Sequence, residues 1–127
     1  MIRAKIIKCE KNTVYEGIVY DYNIYVMINH DMKLILFYPE QKDLSKYINH
    51  ECNIEVKLLF LKDFEIGINL EKDISGKLII DEKYYLKNKY GKFDLEELVI
   101  KSKNFKNEEE ISFNYLRADL ISISQNI

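Results

Sequence analysis

Between Tyr22 and Asn29 the chain alternates without a break. Tyr22, Ile24, Val26 and Ile28 fall on one side, and Asn23, Tyr25, Met27 and Asn29 on the other. A period of two over eight residues is the spacing of a strand with one apolar face; a helix would scatter those four side chains around its axis. Such a strand has to sit in a sheet, and the rest of the chain supplies neighbours. Asn29-His30-Asp31 reads as a hairpin turn, because Asn and Asp tolerate left-handed backbone and hydrogen-bond their own chain. Met32–Tyr38 is then the returning strand. Its run Leu34-Ile35-Leu36-Phe37 is apolar on both faces, as a central strand or the wall of a closed barrel requires. Cys52, Ile54, Val56, Leu58 and Phe60 alternate with Asn53, Glu55 and Lys57, which predicts a strand over 51–61. Further strands are expected at 64–70, with Gly67 as a bend or bulge, and at 77–80, 84–86, 95–101 and 111–124, the last as one bent strand or two. Turns are expected at 73–76 and 89–92, and a charged loop at 103–110.

One helix interrupts this series. Pro39 ends the preceding strand and suits a first helical turn, and Leu44, Tyr47 and Ile48 recur at i, i+3 and i+4. The spacing predicts a short α-helix over 40–48. The chain has only two Ala but ten Tyr, which favours sheet over helix. Its 127 residues, 47% hydrophobic, suffice for one self-sufficient core, and no linker, repeat or low-complexity segment divides them. The expectation is a single mainly-β domain over 1–127: a small OB-like barrel with one short α-helix near 40–48. The layout resembles the OB-fold, in which a helix sits between the third and fourth strands of a Greek-key barrel. An SH3-like barrel or a β-sandwich meets the same pattern. Closure is favoured because it removes exposed sheet edges.

The sequence offers little for catalysis. There are two histidines, His30 and His50, and two cysteines, Cys9 and Cys52. His50 and Cys52 lie two apart and would point the same way on a strand, as a Cys–His pair or half a zinc site requires. Cys52, however, opens the apolar row continued by Ile54, Val56 and Leu58, so the expectation is a buried, reduced thiol. Four zinc ligands would need Cys9, His30, His50 and Cys52 together, and none of them forms a short chelate loop. Glu96-Glu97 and Glu108-Glu109-Glu110 are runs, not the spaced carboxylates of an acid–base pair. No nucleophile elbow, P-loop or dinucleotide-binding glycine motif occurs. We therefore expect no enzyme, no metal and no cofactor. The N-terminal run has no apolar stretch of secretory length, and the expected location is the cytoplasm.

Charge distribution says more than net charge, which is −2. Residues 39–82 hold ten acids against six cations, and residues 83–106 hold seven cations against three acids. In the acidic segment Asp63, Glu65, Glu71 and Asp73 are the candidates for a protein-binding surface, since acidic charge steers a basic partner and tyrosines suit interfaces. In the basic segment Lys87, Lys89 and Lys92 interleave with Tyr84, Tyr85 and Tyr90, which offers cations to phosphates and rings to bases. These six are the candidates for single-stranded nucleic acid.

One further pattern bears on the choice. Leu36-Phe37-Tyr38-Pro39, followed by Cys52-Asn53-Ile54-Glu55-Val56-Lys57-Leu58 and closed by Tyr115-Leu116-Arg117-Ala118-Asp119-Leu120, resembles small bacterial β-barrel proteins. In these a Phe-rich strand ends near a Pro and a spaced apolar strand follows. Some are similar to immunity proteins of polymorphic toxin systems. The resemblance implies a binding protein and no catalytic residues. The leading expectation is thus a non-enzymatic immunity or inhibitor protein that binds a partner protein. A single-strand binder using 83–92 is the alternative, and a structural subunit of a phage or defence assembly is a third.

Overall fold

The computed structural model describes residues 1–125. Among them ten strands form one sheet: β1 (Ile2–Tyr15), β2 (Ile18–Ile28), β3 (Met32–Tyr38), β4 (Glu51–Leu59), β5 (Lys62–Ile66), β6 (Ile74–Ile80), β7 (Tyr84–Asn88), β8 (Gly91–Leu95), β9 (Glu110–Asn114) and β10 (Arg117–Gln125). The mainly-β expectation holds. The alternating run lies in β2, with Tyr22, Ile24, Val26 and Ile28 buried. The turn after it has Asn29 and His30 both left-handed, at φ 52° and 64°, the backbone that matches the twist of a tight hairpin.

Five strands pair in a cycle. β1 pairs antiparallel with β2 and, through Ile2–Lys5, with β4. β2 pairs with β3, and β10 pairs along its length with β4. The link from β3 to β10 is parallel and consists of one bridge, Phe37 to Asp119, so the cycle is uneven. Its inward rows are Ile2, Ala4 and Ile6 of β1, Ile24, Val26 and Ile28 of β2, Leu36 of β3, Cys52, Ile54, Val56 and Leu58 of β4, and Ala118 and Leu120 of β10, all buried. The other five strands, β5 to β9, are inserted between β4 and β10. They continue the sheet in the order β8-β7-β6-β9-β5, leaving β5 at an outer edge. Phe93, Leu86, Leu78, Ile111 and Phe113 extend the same core into them.

Three local expectations are corrected. The α-helix predicted near 40–48 is a single 3₁₀ turn, Ser45–Tyr47. The Asp43 carboxylate accepts hydrogen bonds from the Ser45 backbone N–H and hydroxyl, a local bond that competes with helix propagation. One turn already buries Leu44 and half-buries Tyr47 and Ile48. The strand predicted over 95–101 ends at Leu95, and Glu97–Lys101 is a helix, α1, which buries Ile100 and pairs Glu97 with Lys101 at 2.8 Å. The turn predicted at 73–76 is the start of β6. Gly76 is there for close packing: a Cβ would stand 2.6 Å from the Lys87 carbonyl oxygen. Among the described residues no helix is long and apolar enough to cross a membrane.

Candidate functional site

The β4–β5 corner presents an exposed aromatic in a costly conformation. Phe60 has φ 57°, a left-handed backbone that a bulky residue adopts at a cost of about 1–3 kcal/mol. The residue is 54% exposed, so burial does not offset that cost. Glu96, just before α1, holds the corner: its carboxylate accepts the backbone N–H of Phe60 and of Leu61. The Arg117 guanidinium lies 5.5 Å from the Phe60 ring and 4.9 Å from that of Phe37 on β3. Asp119 fixes Arg117 through two hydrogen bonds, at 2.7 and 3.0 Å, and is itself nearly buried. Leu116, next to Arg117 in the chain, is 68% exposed, and its backbone N–H donates to the Leu59 carbonyl oxygen beside Phe60. The result is a platform of two rings against one guanidinium plane, with the guanidinium fixed by Asp119.

The acidic candidates fall in two groups around this platform. Asp63 accepts the Asn114 side-chain amide, and Asp73 accepts the Tyr115 backbone N–H. Asn114 and Tyr115 lead directly into Leu116 and Arg117, so both carboxylates are tied to the segment that carries the platform. Glu65 and Glu71 lie further out. Glu65 accepts the Asn69 amide and pairs with Lys72 at 3.7 Å. They border a run in which Ile66, Ile68 and Leu70 are 70%, 51% and 89% exposed; the strand expected over 64–70 ends at Ile66, the last residue of β5, which has a partner on one side only.

The Lys/Tyr candidates form the β7–β8 hairpin, which separates them. Tyr84 and Tyr90 pack against the core, and Lys89 reaches Asp31 at 3.4 Å. Lys87, Lys92 and Tyr85 share the outer face. That face also holds Lys77 of β6, opposite Lys87, which no local sequence signal singled out. Phe37, Phe60 and Arg117 were likewise missed as a group: they are far apart in sequence, and only the β3–β10 bridge and the β4–β5 corner bring them together.

Among the described residues no hydrogen bond joins the His50 imidazole to the Cys52 thiol. The Cys52 thiol donates to the His50 carbonyl oxygen at 3.8 Å, and burial pushes its pKa up. Burial likewise raises Cys9, whose thiol faces Asp43. Among the described residues no group of three or more His, Cys, Asp or Glu could hold a metal ion. No family model matches the chain, and comparison with curated proteins and with solved structures gives no match.

Proposed function

We propose that this chain is a non-catalytic protein-binding module of the inhibitor or immunity type, acting in the cytoplasm, and that it caps a basic partner with the Phe37–Arg117–Phe60–Leu116 platform. Phe60 carries the reading. A strained, exposed ring held outward by Glu96 contributes nothing to the core, and strain of this kind accumulates at functional positions. Arg and aromatic side chains that are immobilised before binding lose little entropy on association and dominate interface energetics. Asp63, Glu65, Glu71 and Asp73 supply the acidic border that would steer a basic partner and set its orientation.

The strand pairings support an OB-like barrel as the frame. The first, second, third, fourth and last strands follow one another as β1-β2-β3-β10-β4, with β1 touching both β2 and β4 and β3 parallel to β10. On this reading β5–β9 are one long insertion between the barrel's fourth and fifth strands.

Phe60→Gly separates function from folding, because glycine adopts the same backbone without strain. Stability should change by no more than about 1 kcal/mol, while the complex weakens at least about tenfold, as for an interface anchor. Affinity capture from nuclease-treated lysate of the native host should give one stoichiometric protein with the wild type and little with Phe60→Gly. An Asp63→Lys/Glu71→Lys variant should mainly slow association. Equal capture by all three would reject the platform, and a captured set of many subunits would favour the assembly reading.

A further inference from the structure

The outer face of the inserted strands holds a second feature that this protein-binding reading does not use. Lys77 of β6 stands directly opposite Lys87 of β7, which stands directly opposite Lys92 of β8. Three ammonium groups thus cross three neighbouring strands, at about 4.8 Å between strands. Like charges placed directly opposite destabilise a sheet. None of the three has a carboxylate within ion-pair distance among the described residues, although Lys72, Lys89 and Lys101 do. One end of the row is closed by Glu110, opposite Lys77. Tyr85 lies on the same face beside the row, half-buried, with Lys92 5.1 Å from its ring centroid, and Asp94 stands opposite Tyr85. Beside the row runs a groove of about 500 Å³, to which Lys72, Lys77, Lys87 and Lys89 contribute along with Asp73 and Glu110.

We propose that this lysine row is a binding site for the phosphodiester backbone of single-stranded nucleic acid, with a base stacking at Tyr85. Charge complementarity fixes the ligand class: a line of unpaired cations needs a line of anions, and the neighbouring ring of Tyr85 gives one base an apolar surface. A free strand can follow the row while turning a base toward Tyr85; a duplex keeps its bases paired and stacked away from the ring. The lysine row shares no residue with the platform around Phe60, although Asp73 of the acidic border also lines the groove.

Fluorescence anisotropy with a labelled 20-nucleotide oligothymidylate, titrated with salt, tests the assignment on the whole chain. Three phosphates neutralised predict a log–log slope of about −2, at roughly −0.7 per contact. Lys77→Ala/Lys87→Ala/Lys92→Ala should abolish that slope. Its melting temperature should match or exceed the wild type's, because the repulsion is gone. If the triple variant is poorly folded, Lys87→Gln alone should lower the slope by about 0.7. Tyr85→Ala should weaken binding roughly 5- to 150-fold with the slope retained. A flat salt dependence in the wild type, or an unchanged slope in the lysine variants, overturns the proposal. A duplex of equal length bound equally well through the same lysines overturns the single-strand assignment. Phe60→Gly should leave oligonucleotide binding unchanged, so this site and the protein-binding reading fail separately.

Discussion

The cycle β1-β2-β3-β10-β4 and the inserted strands β5–β9 share one core but treat their surfaces differently. In the cycle every strand has a neighbour on each side, and its inward rows are mostly aliphatic. The inserted strands end at β5, whose outer side is unpaired, and they fill their interior with Phe93 and Phe113. Phe113 and Phe105 both pack on Phe64, with ring centroids 5.3 and 5.7 Å away. Exposed apolar side chains occur on both sets, Val14, Tyr15, Ile18 and Ile35 on the cycle and Ile66, Ile68 and Leu70 on the insertion, but the exposed, left-handed Phe60 and the lysine row lie in or beside the insertion. One set of strands can support unfavourable surface on another, provided both are cooperative through one core.

Cooperativity is the first thing to break. Phe113→Ala should cost about 3–5 kcal/mol and Ile54→Ala about 2–5 kcal/mol, because both side chains are wholly buried. If the core is one unit, each variant shifts a single urea transition seen equally by far-UV circular dichroism and by hydrogen exchange in both strand sets. A second transition confined to Phe113→Ala would mean that the insertion unfolds by itself. Gly76→Ala tests the seam more gently. The added methyl meets the Lys87 backbone rather than a movable side chain, so a loss of about 1–3 kcal/mol is expected, with exchange protection falling first in β6 and β7. Protection lost first in β2 would place the seam elsewhere.

The same division decides what could be read from the sequence. Part of the cycle is legible because two of its strands alternate cleanly: β2 and β4 show in Tyr22–Ile28 and Cys52–Leu58, whereas β1, which pairs with both, has no such uninterrupted alternation and shows no bounds. The insertion is less so. Its strands are mostly five residues long, too short for periodicity to separate strand from helix, and Leu95–Lys101 was read as strand where α1 forms. At 40–48 the apolar stripe was real but needed only one turn, and the side-chain bond from Asp43 prevailed over helical spacing. The candidate site divided in the same way. Acidic and basic clusters show in a linear sequence, so Asp63, Asp73, Lys87 and Lys92 stand out there as candidates. Lys77, Phe37 and Arg117 depend on strand register, which a single sequence does not display.

Glu96 links the two strand sets, and its removal should have a moderate effect. Glu96→Ala leaves the Phe60 and Leu61 N–H groups without their acceptor, at a cost of about 1.5–3 kcal/mol, as for hydrogen bonds to a charged group. The corner should then relax and Phe60 should lose its fixed outward position. Glu96→Ala combined with Phe60→Gly should cost less than the two changes summed, since glycine needs no support at that φ. Strict additivity would mean that Glu96 acts on something other than the corner.

The smallest effect gives the clearest contrast, because it has opposite signs in the two regions. Asp43, beside the cycle, is held below the ordinary carboxylate range by the Ser45 hydroxyl and then by the Ser45 N–H. Asp94, on β8, is held above it, first by burial and then by the nearby Glu55 carboxylate. A lowered carboxylate stabilises the fold above its unfolded pKa of about 3.9 and loses that contribution as pH falls through the folded value. A raised carboxylate does the reverse: its penalty is absent below about pH 3.9, grows as pH climbs to the folded value, and is constant above it. Asp43→Ala should therefore lower the melting temperature at pH 7, and Asp94→Asn should raise it, each by an amount equivalent to about 1 kcal/mol or less for such partly exposed groups. Both differences should shrink toward pH 3, from opposite directions. If Asp94→Asn were destabilising at pH 7, the Asp94 carboxylate would be making a favourable bond through Lys57 or Lys83, the two lysines that pull against its burial, and the inserted strands would be less burdened by their surface than the comparison requires.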